Sequence, residues 1–127
     1  MEKILQNKSE EYFEKLCREK LKKIYTNKKL YIYGAGKAGL IAYSVLKETN
    51  RYVNGFIDKR AYAIKEIDGV SVYEVEKVDL CDSYVIIALI GDSYYNEKMY
   101  IVRNLLSCGL ESNSFCYLYE PQDKLFE

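Results

Sequence analysis

Leu30-Tyr31-Ile32-Tyr33-Gly34-Ala35-Gly36-Lys37-Ala38-Gly39 runs four strand-forming residues straight into a glycine-rich turn. The next residues, Leu40-Ile41-Ala42-Tyr43-Ser44-Val45-Leu46-Lys47, read as a helix that ends near Asn50. Tyr52-Val53-Asn54-Gly55-Phe56-Ile57-Asp58 then reads as a second strand with an acidic residue at its end. Strand, Gly-x-Gly-x-x-Gly, helix, strand and then an acid roughly twenty positions on is the context that a dinucleotide-binding turn requires.

The three glycines have different physical roles. Gly34 allows the tight turn out of the strand, Gly36 lets a pyrophosphate approach the backbone, and Gly39 lets the helix pack closely on the sheet. Phosphates would sit at the helix N-terminus, where N–H groups point outward and the dipole favours negative charge. Ala35 and Ala38 lie in the same turn. Lys37 could neutralise a phosphate, or be a solvated lysine in the first helical turn. Asp58 is expected to accept hydrogen bonds from ribose hydroxyls, and its charge favours NAD over NADP. Lys59 and Arg60 follow it and blur that preference. A glycine turn that merely packs a helix on a sheet would carry the same glycines, and Asp58 weighs against that simpler reading.

Outward from this unit the alternation continues. Residues 1 to about 28 read as an amphipathic helix, with Tyr12, Phe13, Leu16, Cys17, Leu21, Ile24 and Tyr25 at helical spacing. The basic run from Arg18 to Lys29 is a solvated face and helix end rather than an anion-binding patch. Lys59 to Asp68 is polar and irregular. Gly69-Val70-Ser71-Val72 is a short third strand, and a short helix starts between Tyr73 and Val78. Tyr84-Val85-Ile86-Ile87-Ala88-Leu89-Ile90 is an almost unbroken apolar run, which suits a strand buried on both faces of a parallel sheet. Ala88 to Gly91, Ile90 included, should line the same crevice as the glycine turn, because ligands bind beyond the carboxyl ends of the strands. Asp92 or Ser93 could touch a ligand there, but capping the next helix is the better reading. That helix runs through Met99, Ile101, Val102, Leu105 and Leu106, with Gly109 as its C-cap. Ser114-Phe115-Cys116-Tyr117-Leu118-Tyr119 is a last strand.

The expected architecture is therefore α/β: a Rossmann-like three-layer fold. It has a parallel sheet of about five strands with helices on both faces, and an extra N-terminal helix. The expected division is an N-terminal helix over 1–28, a nucleotide-binding domain over 29–119 and a tail over 120–127.

Composition narrows the chemistry. The 127 residues suit one domain and would not hold a two-domain dehydrogenase. Lys plus Arg and Asp plus Glu number 19 each, so a general electrostatic grip on nucleic acid or on an anionic membrane is not expected. Uncharged intervals such as Ala38 to Leu46 and Ser83 to Gly91 are too short to span a bilayer. The four cysteines, Cys17, Cys81, Cys108 and Cys116, form no C-x-x-C pair and read as small buried hydrophobes in a reduced, cytoplasmic protein. No metal site is expected. There is no histidine, which removes the commonest general base and every Ser-His-Asp or Cys-His arrangement. Tyr-x-x-x-Lys pairs, which can donate protons in short-chain dehydrogenases, occur at Tyr25/Lys29, Tyr33/Lys37, Tyr43/Lys47, Tyr73/Lys77 and Tyr94/Lys98. With 14 tyrosines in the chain such pairs arise by chance, and most of these sit in the wrong place for that role.

Three segments in order, Tyr31 to Gly39, Val53 to Asp58 and Ile67 to Val72, with Val85-Ile86-Ile87-Ala88 as a fourth, carry a family resemblance. The chain resembles the Rossmann-like nucleotide-binding domain of bacterial surface-polysaccharide enzymes. That domain is found with nucleotide-sugar dehydratases, polyprenyl-phosphate sugar-phosphate transferases and sugar acetyltransferases. The resemblance covers about residues 29–119 and implies a module that binds NAD or a nucleotide-sugar and leaves catalysis to a partner domain. Two other functions stay open: a small NAD-dependent or nucleotide-sugar-modifying enzyme, and a ligand-sensing regulatory subunit. In the last, the N-terminal helix would bury its apolar face against a protein partner or a second copy.

Overall fold

The computed structural model describes residues 2–90 and 92–119, with side chains described at 10–90 and 97–119. In chain order the elements are helix α1 (Glu2–Leu21), strand β1 (Lys29–Tyr33), helix α2 (Lys37–Glu48) and strand β2 (Gly55–Ile57). A 3-10 turn (Lys59–Tyr62), strands β3 (Glu66–Ile67) and β4 (Val70–Tyr73) and a second 3-10 turn (Val75–Lys77) follow. Strand β5 (Ser83–Ile87), helix α3 (Asp92–Ser107) and strand β6 (Phe115–Tyr117) complete the order.

The fold is α/β, with one 6-stranded sheet in the order β3-β4-β2-β1-β5-β6. Every pairing is parallel except β3 with β4. Ile32 of β1 lies opposite Phe56 of β2 on one side and Ile86 of β5 on the other. Phe56 lies opposite Val72, and Ile86 opposite Cys116. The chain moves one way from β1, to β2 and β4, and then crosses back to β5 and β6. The sheet order therefore reverses between β1 and β5.

Side chains alternate across a strand, so each central strand splits its residues between two cores. Leu30, Ile32, Phe56, Val72 and Ile86 pack with Phe13, Cys17 and Leu21 of α1 and with Ala38, Ala42, Val45 and Leu46 of α2. Tyr31, Tyr33, Ile57, Val85 and Ile87 pack instead with Ile101 and Leu105 of α3 and with Leu110. This division explains why β5 shows no polar alternation: both of its faces are covered.

Four expectations are corrected. The first helix ends at Leu21, not near residue 28. Its last carbonyls are taken by 3-10 bonds, with the Ile24 N–H on Leu21 O, and by the Arg51 guanidinium, which donates to Leu21 O at 2.9 Å and to Ile24 O. A cation at a helix C-terminus is favoured there. Ile24 still reaches the core, while Tyr25 is 88% exposed. Second, Phe13, Cys17 and Leu21 of α1 are buried within their own chain, so these three residues are not open to a partner. Third, 59–68 is not irregular. It holds a 3-10 turn and β3, which pairs with β4 across Asp68-Gly69. Both turn residues have positive φ, +51° and +80°, as the right-handed twist of a two-residue hairpin demands. Fourth, Cys17 is buried and Cys108 and Cys116 are half-buried, but Cys81 is exposed. No helix among the described residues is long and apolar enough to cross a membrane.

Candidate functional site

The glycine turn lies at the carboxyl ends of β1 and β5, where the strand order reverses. Such a reversal opens a crevice above the sheet. Gly34 leaves β1 with φ +110° and donates its N–H to Ile57 O at 2.8 Å. A Cβ at Gly34 would stand 2.8 Å from Ala88 O and 2.9 Å from Leu89 Cδ2. The turn is thus wedged between the ends of β2 and β5, and the Ala88 N–H in turn donates to Tyr33 O at 2.9 Å. A Cβ at Gly39 would collide with the carbonyl oxygen of Gly34, so α2 can sit this close only with glycine there. Gly36 differs from both. The nearest atom to its missing Cβ is Arg60 Nη2, 3.6 Å away. It caps α2 with extended backbone and offers no side-chain bond to the first turn. Open backbone and an uncapped helix start together leave room for an anion beside Gly36.

Asp58 is the polar centre. It is 9% exposed and follows β2 directly. Its Oδ2 accepts from the Ala35 N–H at 2.7 Å and from Arg60 Nη2 at 3.1 Å. Its Oδ1 accepts from the Arg60 N–H at 2.8 Å and from Arg60 Nε at 3.0 Å. Burial pushes this carboxyl up. The Arg60 side chain and the backbone N–H groups of Ala35 and Arg60 outweigh that and hold it below its ordinary value. It is therefore ionised at neutral pH. Sequence reasoning had Arg60 only blurring the NAD preference of Asp58, not pairing with that carboxylate. The only signal for it was its position two places after Asp58, which lets its side chain fold back onto the carboxylate.

The remaining expected residues divide between the two. Ala35, Ala38 and Ala88 are buried and shape the turn from beneath. Ile90 is half-buried at the end of the β5 segment. Lys37 is exposed and forms an ion pair with Glu10 of α1. Lys59 is exposed, with Nζ 3.5 Å from Glu97 Oε2. Gly91 lies outside the described residues, as do the side chains of Asp92, Ser93 and Tyr94. A cleft of about 340 Å³ opens beyond β2 and β4, lined by Tyr33, Ile57, Asp58, Lys59, Glu74, Val75 and Glu76. Composition gave no sign of it, because its wall is the 3-10 turn after β4.

Two tyrosines of the Tyr-x-x-x-Lys pairs, Tyr33 and Tyr43, are not set up to lose a proton near neutral pH. Burial, and then the nearby Asp58 charge, push the Tyr33 phenol up to about 12, and its Lys37 is drawn to Glu10. Tyr43 and Lys47 both bond Asp68 Oδ2, at 2.7 and 2.9 Å. That carboxylate docks the β3–β4 turn onto α2 and raises the Tyr43 phenol rather than lowering it. Lys77 pairs with Glu74 at 3.3 Å. A phenol that must lose a proton near neutral pH needs the opposite shift. No group of three or more Cys, Asp or Glu among the described residues could hold a metal ion.

No family model, curated protein or solved structure matches this chain.

Proposed function

We propose that the chain is a Rossmann-like nucleotide-binding module. It would hold the diphosphate of a dinucleotide such as NAD, or of a nucleotide-sugar, at the glycine turn, and leave chemistry to another protein or domain. The observation that carries the reading is the position of Gly36. Its backbone is open and starts α2 at the carboxyl ends of β1 and β5, where the order of the sheet reverses. The separate packing of α1 and α2, and of α3, against alternate strand residues supports the three-layer arrangement. The raised phenols of Tyr33 and Tyr43 support a role without catalysis. The order of the four segments from Tyr31 to Ala88 suggests bacterial surface-polysaccharide synthesis as the setting.

Calorimetric titration with NAD, a UDP-sugar and coenzyme A tests the reading, paired with the variant Gly36→Val. Gly36 has φ −89° and ψ −162°, which any residue adopts, and a Cβ there meets only Arg60 Nη2, at 3.6 Å, an ordinary contact with the end of a half-exposed side chain, so the variant should fold. It should weaken nucleotide binding at least tenfold, by filling the space a phosphate needs. No heat from any of the three ligands at millimolar concentration, or unchanged binding by Gly36→Val, would end the proposal.

A further inference from the structure

The cations Lys37, Lys59 and Arg60 are each matched by a carboxylate of the chain itself: Arg60 by Asp58, Lys59 by Glu97 and Lys37 by Glu10. Asp58 follows β2 and Glu97 lies on α3, within the α/β unit that forms the crevice. Glu10 comes from α1, which precedes that unit. Helices α1 and α2 run in the same direction. Glu10 meets Lys37 at the start of α2, and Arg18 meets Glu48 at its end. The Glu10 carboxylate therefore stands within one lysine side chain of the N-terminus of α2, the end that favours an anion. Glu14, one turn along α1, is held by Arg18 at 2.6 Å. Lys37 directly follows Gly36, and its flexible four-carbon stem lets the ammonium swing from Glu10 to an anion at the turn. The Lys37 and Glu10 side chains are 70% and 45% exposed, so solvent screens the pair and it is weak enough to exchange partners. A diphosphate brings more negative charge to that exchange than one carboxylate does.

We infer that Glu10 makes an autoinhibitory contact: it holds Lys37 away from the phosphate position of the glycine turn, and a nucleotide must displace it to recruit that lysine. The inference rests on the nucleotide-binding reading. Coupling of this kind is reciprocal, so a bound nucleotide weakens the hold of α2 on the Glu10 turn of α1 by the same factor.

The test is calorimetric titration with a UDP-sugar, NAD and coenzyme A of the wild-type chain, Glu10→Gln, Lys37→Gln, the double variant and Glu11→Gln. Glu10→Gln should tighten binding of at least one ligand roughly two- to fivefold, the range of an exposed ion pair. Lys37→Gln should weaken the same ligand. Adding Glu10→Gln to it should recover little, because the lysine that the glutamate withholds is gone. Glu11→Gln removes the neighbouring exposed acid and should leave affinity unchanged. Unchanged binding by Glu10→Gln or by Lys37→Gln, an equal gain from Glu11→Gln, or the same gain from Glu10→Gln in the Lys37→Gln background overturns the inference while leaving the module reading in place. No binding of any ligand by the wild-type chain or the variants overturns both.

Discussion

Asp58 Oδ2 accepts a hydrogen bond from the Ala35 N–H at 2.7 Å, so the residue that ends β2 also holds the turn that leaves β1. The two strands are parallel neighbours, with Tyr33 opposite Ile57. The bond continues their ladder by one side-chain rung beyond the last backbone pair. It means that the acid at the end of the second strand shapes the glycine turn before any ligand arrives.

Asp58→Ala should therefore destabilise the fold by about 1–3 kcal/mol, because it leaves a buried N–H at Ala35 without its acceptor. Asp68→Ala is the comparison. Asp68 also bonds two side chains, Tyr43 and Lys47, but it is half exposed and solvent screens the pair, so its loss should cost clearly less than that of Asp58. Urea unfolding of both variants reads the difference. Equal costs would mean that the Asp58 network does not stabilise the turn.

The pH dependence follows from the same carboxyl. Its folded value lies below the ordinary one, so folding favours the ionised form. That contribution is fully present above the unfolded value of about 3.9 and is lost as pH falls through the lower folded value. Asp68 and Asp79 are lowered too, so the whole protein should weaken in acid. The stability gap between wild type and Asp58→Asn isolates one group. It should be constant above about pH 5 and shrink below about pH 4. A gap that widened in acid would mean that folding favours the protonated carboxyl instead.

Gly39→Ala tests close packing instead of charge. Its Cβ meets the carbonyl oxygen of Gly34, a backbone atom that cannot swing away like a side chain. The cost should reach about 1–3 kcal/mol or more, as for overpacking in a core. α2 would also be forced away from the turn, so nucleotide affinity should fall with stability. Gly36→Val should lose affinity alone. A thermal-shift series on the two variants separates these outcomes, since a ligand at a hundredfold excess over its Kd adds about 2.7 kcal/mol to the wild-type chain.

Much of this was legible in local chemistry. The run Leu30 to Tyr33, the spacing of Gly34, Gly36 and Gly39, and the apolar stretch from Val85 to Ile87 announce buried parallel strands around a turn, because strand propensity and glycine geometry act within a few residues. The hairpin of β3 and β4 was not legible: with arms as short as Glu66–Ile67 there is no period to read, although Asp68-Gly69 is a turn pair. The end of α1 was hidden for another reason. Its periodicity continues to Ile24, and the Arg51 side chain that takes the last carbonyls lies far along the chain.

The amino-acid sequence by itself determined that this chain alternates strands and helices around a glycine turn with an acid beyond it, since each of those features depends on neighbours in the chain. Only the tertiary structure decided that the order reverses between β1 and β5, that α1 buries Phe13, Cys17 and Leu21 in its own chain's core, and that Arg60 already occupies Asp58. These depend on which groups meet across the fold. A carboxylate beside a glycine turn and a carboxylate already paired with a guanidinium are the same letter in the sequence, but only the unpaired one offers a ligand a net negative charge.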